Sequence, residues 1–187
     1  MRSQAARAAL GLVDAFAPVP SPPKRHRWAT PEGRNTTPIS LHPIGRVVCD
    51  VTAQTDQQWG TVTSRIELLP EYRGGLLGLD QFSHVLVITY LHQAGYVPAE
   101  HLTRRPRGLP TMPLAGIFAQ RAKDRPNPIG VTAVSILAVT SDSVVVRGLD
   151  AINGTPVLDL KPYYPQYDRI ENAVVPEWVD RLMEGYF

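Results

Sequence analysis

The chain has 187 residues, 43% of them hydrophobic and 19% charged, with a formal net charge of +2. That length supports one domain with a core plus an appendage, and the charge balance alone argues for no polyanion partner. The one cysteine, Cys49, excludes an intrachain disulfide and a cysteine-rich zinc site, which fits a reducing, cytoplasmic compartment.

Residues 1–40 read as a Pro-rich, partly disordered extension. Ser3 to Ala17 has the spacing of a short helix, which Pro18, Pro20, Pro22 and Pro23 stop. Asp14 interrupts the apolar run too early for a signal peptide, and no run in the chain approaches a membrane span. Lys24, Arg25, His26 and Arg27 form a basic cluster, read as a solvated tail, with a nucleic-acid arm as the alternative.

Residues 41–187 read as the body, and here the period is mostly two. Thr61 to Leu69 puts Val62, Ser64, Ile66 and Leu68 on one face and Thr61, Thr63, Arg65 and Glu67 on the other. Helical signals lie near Gly75 to Phe82 and after Pro176, through Trp178, Leu182 and Met183. Phe82 to Gln93 is β-branched and aromatic, too apolar for an edge strand. Glu100 to Pro113 reads as a long loop carrying Arg104, Arg105 and Arg107, a candidate for phosphate contacts. "LAGIFAQ", "IGVTAVSILAVT" and "SVVVRGLDAI" read as further strands, with Ser141 to Ser143 a tight turn between the last two. Many strands joined by short turns predict a mainly β fold, an antiparallel barrel or sandwich with a few short helices.

Several chemistries lack their motifs. There is no GxGxxG, no phosphate loop, no HExxH and no GxSxG, and the five histidines have no metal-ligand spacing. Asn153-Gly154-Thr155 matches a glycosylation site but is better explained by an Asn-Gly turn.

Three segments carry the remaining signal. In "DRPNPIG", Pro126 and Pro128 restrict Arg125 and Asn127 towards an extended, stiff conformation. Its polar side chains are then placed in advance for an anion or a base edge, or the segment is a rigid corner between strands. In "GLDAINGTPVLDLKPYYPQYD", Asp159 and Lys161 are two apart and share a strand face, as an ion pair or as a base with its tuning partner. The third, "SHVLVITYLHQA", ends its apolar run on His92-Gln93.

These segments, in this order, resemble the TsaA-like (YaeB-like) family over roughly Pro43 to Tyr167. The resemblance implies a small antiparallel β-barrel and an S-adenosylmethionine-dependent methyltransferase acting on threonylcarbamoyladenosine beside the tRNA anticodon. It also implies a homodimer with the cofactor near the interface. By the same resemblance, His92, Gln93, Arg121, Val131, Gly148, Leu149 and Asp150 contact the cofactor, and Gln57 and Gln58 align loosely with a cofactor loop. Gln120 and Asn153 stand where the family has Thr and Asp. No metal is called for, because methyl transfer from a sulfonium needs geometry above all. The acceptor nitrogen is electron-poor and wants a base. Asp159 is the candidate, with Lys161 orienting it and Arg125 and Asn127 holding the nucleotide or the threonyl carboxylate. The alternatives are a barrel that binds adenosylmethionine or a nucleotide without catalysis, and a small-molecule methyltransferase.

Overall fold

The computed structural model describes residues 39–54 and 58–187. The helix, proline stop and basic cluster expected near the N-terminus, and Gln57, lie outside the described residues. The described chain forms eight strands: β1 (Gly45–Val48), β2 (Thr63–Leu68), β3 (His84–Tyr90), β4 (Thr103–Arg104), β5 (Ala115–Gly116), β6 (Ile129–Val139), β7 (Ser143–Arg147) and β8 (Pro156–Pro162). Six of them close a barrel in the order β1-β2-β7-β6-β3-β8, and every pairing is antiparallel. β4 and β5 make a separate two-stranded ribbon.

The period-two reading of β2 holds: Ser64, Ile66 and Leu68 are buried, while Thr63 and Arg65 are exposed. β3 is a central strand, paired with β6 on one side and β8 on the other. Closure lets each strand bury one face inside the ring. Val47, Ile66, Val85, Val87, Val144, Val146 and Val157 are fully buried there. The β6–β7 connection turns tightly, with the Thr140 N–H donating to the Ser143 carbonyl at 2.9 Å. Ile152 to Thr155 is also a turn, closed by the Thr155 N–H on the Ile152 carbonyl, with Gly154 at φ 81°.

Three local expectations need correction, and β8 shows an irregularity that no sequence pattern announced. In "LAGIFAQ" only Ala115–Gly116 pairs, and Ile117–Ala119 then forms a 3-10 turn. The partner strand ends there, since α1 occupies Pro98–His101. Ile117 makes one last bond to the Leu102 carbonyl and the Gln120 N–H then closes on the Ile117 carbonyl, while Gln120 Nε2 braces the paired part by donating to the carbonyls of Arg104 and Ala115. The helix expected near Gly75 is two 3-10 segments, Pro70–Leu76 and Leu79–Gln81. Gly74, Gly75 and a left-handed Gly78 break it there. The "RPNP" segment does not run straight: residues 123–127 bend, and the Ile129 N–H closes on the Asn127 carbonyl at 2.7 Å. Finally, β8 carries a bulge at Leu158, since Ile88 faces Asp159 but Thr89 faces Val157. The extra residue shifts the alternation, so Asp159 does not share Val157's inward face.

The long loop is ordered. It holds the end of α1 (Pro98–His101), strand β4 and a 3-10 turn at Pro106–Gly108. After β8 come α2 (Pro165–Asp168) and α3 (Glu177–Met183), the latter starting behind Pro176 as expected. No helix among the described residues is long and apolar enough to cross a membrane.

Candidate functional site

A cleft of about 830 Å³ opens on the flank of the barrel. One wall is the chain leaving β3, where the Leu91 N–H donates to the Pro128 carbonyl at 2.8 Å and His92 and Gln93 follow. Residues 120–124 and the turn at Pro106–Gly108 form a second wall. The end of β7 supplies a third. Gly148 at φ 93° turns the backbone sharply, as glycine alone does at no steric cost. Leu149 then enters the core at 1% exposure, and Asp150 faces the cleft. Residues 182–187 close the remaining side with Tyr186 and Phe187, seated beside Trp59.

The polar groups are held firmly. Asp150 accepts from the Thr132 hydroxyl and, at 3.0 Å, from the Tyr186 hydroxyl. An Arg121 guanidinium N–H donates to the Val131 carbonyl. Gln93 accepts from Gln54 at 3.3 Å. Asp124 is buried and takes Lys123 at 2.7 Å, Arg104 at 3.6 Å and the Gly95 N–H at 3.0 Å. Burial works to raise the Asp124 carboxyl, but the Lys123 hydrogen bond, the Gly95 N–H and the charges of Lys123 and Arg104 outweigh it and hold it below its ordinary value. Desolvation lowers His92 below its ordinary value, which favours the neutral imidazole. Gln120 Oε1 and Arg104 Nε are buried beside the cleft with no hydrogen-bond partner among the described residues, which favours a polar occupant.

The depressed Asp124 carboxyl has a measurable consequence. Its contribution to stability is complete above the unfolded value of 3.8 and is lost as pH falls through the lower folded value. Denaturant titrations of the parent and of Asp124→Asn are therefore expected to differ most above pH 4 and to converge in stronger acid. Parallel curves at every pH would contradict the assignment.

Of the residues singled out from the sequence, His92, Gln93, Arg121 and Asp150 come together in the cleft, though they are spread over nearly sixty positions. Val131 contributes its carbonyl to Arg121, while Gly148 and Leu149 set the path of the backbone. Gln58 lies at φ 62° beside Trp59. Arg125, Asn127, Asp159 and Lys161 do not line the cleft. Arg125 donates to the Gln120 carbonyl at 3.2 Å and closes its own loop, and Asn127 is exposed. Asp159 and Lys161 pair at 2.7 Å on β8, and that hydrogen bond raises Lys161 above its ordinary value. The arginine-rich loop does reach the cleft, through Arg104, Pro106, Arg107 and Gly108. Sequence reasoning missed Trp59, Thr132, Tyr186 and Phe187. Each belongs to a segment with no motif of its own, and only folding brings them beside Asp150.

A closed six-stranded barrel with a basic, aromatic-walled cleft on its flank is a small-ligand-binding barrel, a different class from the open parallel sheets that hold nucleotides at a glycine-rich turn. The chain belongs to the family described as tRNA-methyltransferase O N-terminal domain, whose model matches residues 51–169. It is 36% identical, over 71% of its length and 95% of the relative's, to a probable S-adenosyl-L-methionine-binding protein of Methanothermobacter thermautotrophicus. It is 38% identical to the human tRNA (adenine(37)-N6)-methyltransferase over 62% of its length, which is 25% of the human chain. The crystal structure of TrmO from Pseudomonas aeruginosa superimposes with a TM-score of 0.63 and 29% identity, covering 76% of this chain and 62% of that one. The chain thus spans only part of these two longer relatives.

Proposed function

We propose that the chain binds S-adenosylmethionine in the flank cleft and transfers its methyl group to the exocyclic nitrogen of threonylcarbamoyladenosine beside a tRNA anticodon. The observation that carries this reading is the convergence of His92, Gln93, Arg121 and Asp150 in one cleft of nucleoside-ligand size. The residues suit the cofactor. Asp150 is a carboxylate able to accept from a ribose diol or an ammonium group, and Tyr186 and Phe187 offer flat apolar surface to a base. Arg121, Arg107 and Lys123 give the cleft cationic groups for a carboxylate. The bound cofactor supplies a sulfonium methyl group, and the protein's task is to hold the acceptor in line with it.

The homodimer and the acceptor-side residues belong to the same proposal. Ile129, Val131 and Leu137 are exposed at 38%, 43% and 46% on β6. We assign this apolar face to the contact with a second copy. Asp159, opposite Ile88, and Lys161, opposite Leu86, stand on the strand that flanks β3. In a dimer packed this way they belong to the shared surface rather than to their own copy's cleft, with Arg125 and Asn127 on the acceptor side. A reading as a binding barrel without catalysis is favoured by one observation: both cleft carboxylates, Asp124 and Asp150, are already engaged by donors.

Calorimetric titration with S-adenosylmethionine is the first test. Arg121→Ala and His92→Ala are each expected to weaken binding about tenfold. Two variants that titrate like the parent would place the pocket elsewhere. Methylation of anticodon-loop RNA, followed by nucleoside mass spectrometry, then separates an enzyme from a binder.

The RNA side has its own expectation. Arg105 and Arg107 are exposed, whereas Arg104 is committed to Asp124. Arg105→Glu with Arg107→Glu is expected to lower RNA affinity and flatten its salt dependence. An unchanged salt slope would show that RNA does not pass over this loop.

A further inference from the structure

Residues 184–187 follow α3 and are seated against the chain just before β2. The Gln58 N–H donates to the Gly185 carbonyl at 2.9 Å, and the Trp59 N–H donates to the Tyr186 carbonyl at 2.8 Å. Gly60 makes room for this seat, since a Cβ there would lie 2.6 Å from the backbone carbonyl carbon of Phe187. From it the Tyr186 hydroxyl reaches Asp150 at 3.0 Å. The Arg107 guanidinium lies 5.5 Å from the Tyr186 ring centroid, and Phe187 meets that ring edge-on at 4.9 Å. One short segment therefore touches the turn before β2, the arginine loop and the cleft carboxylate.

We propose that residues 184–187 are a working wall of the ligand cleft and that Tyr186 is a positioning residue acting through Asp150. An ionised carboxylate offers about four lone-pair sites. Thr132 takes one on Oδ1 and Tyr186 takes one on Oδ2, so each oxygen keeps a site for a ligand hydroxyl or ammonium. Two anchors fix the plane of the carboxylate before the ligand arrives, which spares the entropy of ordering it on binding. The Tyr186 and Phe187 rings add aromatic surface for the planar base of an adenosine-type ligand. This inference rests on the cofactor reading above and adds to it a segment lying beyond the residues that the family model matches.

The opposite possibility is a plug, in which Tyr186 occupies the site that the ligand needs. The two differ in sign, and calorimetry of the full chain with S-adenosylmethionine and with S-adenosylhomocysteine separates them. Tyr186→Ala, and Gly60→Ala, which unseats the segment without altering Tyr186, are each expected to weaken both ligands about tenfold. Tyr186→Phe keeps the ring and is expected to recover part of that loss. Melting curves of the three variants are expected to match the parent, because the segment lies outside the barrel core. Unchanged or tighter binding by Tyr186→Ala and Gly60→Ala would overturn the wall and favour the plug. A parent chain that binds neither ligand would overturn the cofactor reading, and this inference with it.

Discussion

Replacing Asp150 by Ala is expected to weaken S-adenosylmethionine binding by about a hundredfold, as losing hydrogen bonds to a charged acceptor does. Asp150 is a cleft carboxylate whose two oxygens are both held by hydroxyl donors rather than by a cation. Removing it also leaves Thr132, only 8% exposed, without that acceptor. Asp150→Asn keeps the shape and loses the charge, so it is expected to fall between Ala and the parent. Titration calorimetry reads both. Equal affinity in all three proteins would mean that the ligand's polar groups bind elsewhere in the cleft.

Leu149→Ala is expected to act on stability instead. Leu149 is 1% exposed and belongs to the cluster that fills the barrel. Truncating a buried leucine costs about 3 kcal/mol in lost transfer energy and residual cavity. For a domain of this size that lowers the melting midpoint by roughly 10 °C, which scanning calorimetry detects. The resemblance to the TsaA-like family placed Leu149 among the cofactor contacts. If the variant melts like the parent but binds the cofactor poorly, its side chain serves the ligand. If it melts early and binds normally below its midpoint, its place in the core accounts for it.

The inward and outward faces of the strands were readable because their determinants are local. In Thr61 to Leu69 and in β3, inward and outward residues alternate along a few positions, and that period follows from the geometry of an extended chain. The failures are equally specific. No period announces that Leu158 is an extra residue, because a bulge is fixed by the register of β3 against β8. "LAGIFAQ" looks like a strand, but its partner segment is helical before Leu102, so the pairing ends at Gly116 and the chain closes into a 3-10 turn.

The amino-acid sequence alone determined strands β2, β3, β6 and β7, the two tight turns, the central place of β3 and the helix after Pro176. Each depends on residues within a few positions of one another. The resemblance of its motifs to the TsaA-like family added His92, Gln93, Arg121 and Asp150. Only the tertiary structure decided what those residues face. Closing β1 against β8 brings the ends of β3 and β7 to the same flank, and the arginine loop and residues 182–187 cover that flank. The same closure set Asp159 and Lys161 outside the cleft lining and drew Tyr186 to Asp150, 36 residues earlier in the chain. Contacts at that separation are fixed by strand register and by the burial of the whole barrel, which no short stretch of sequence encodes.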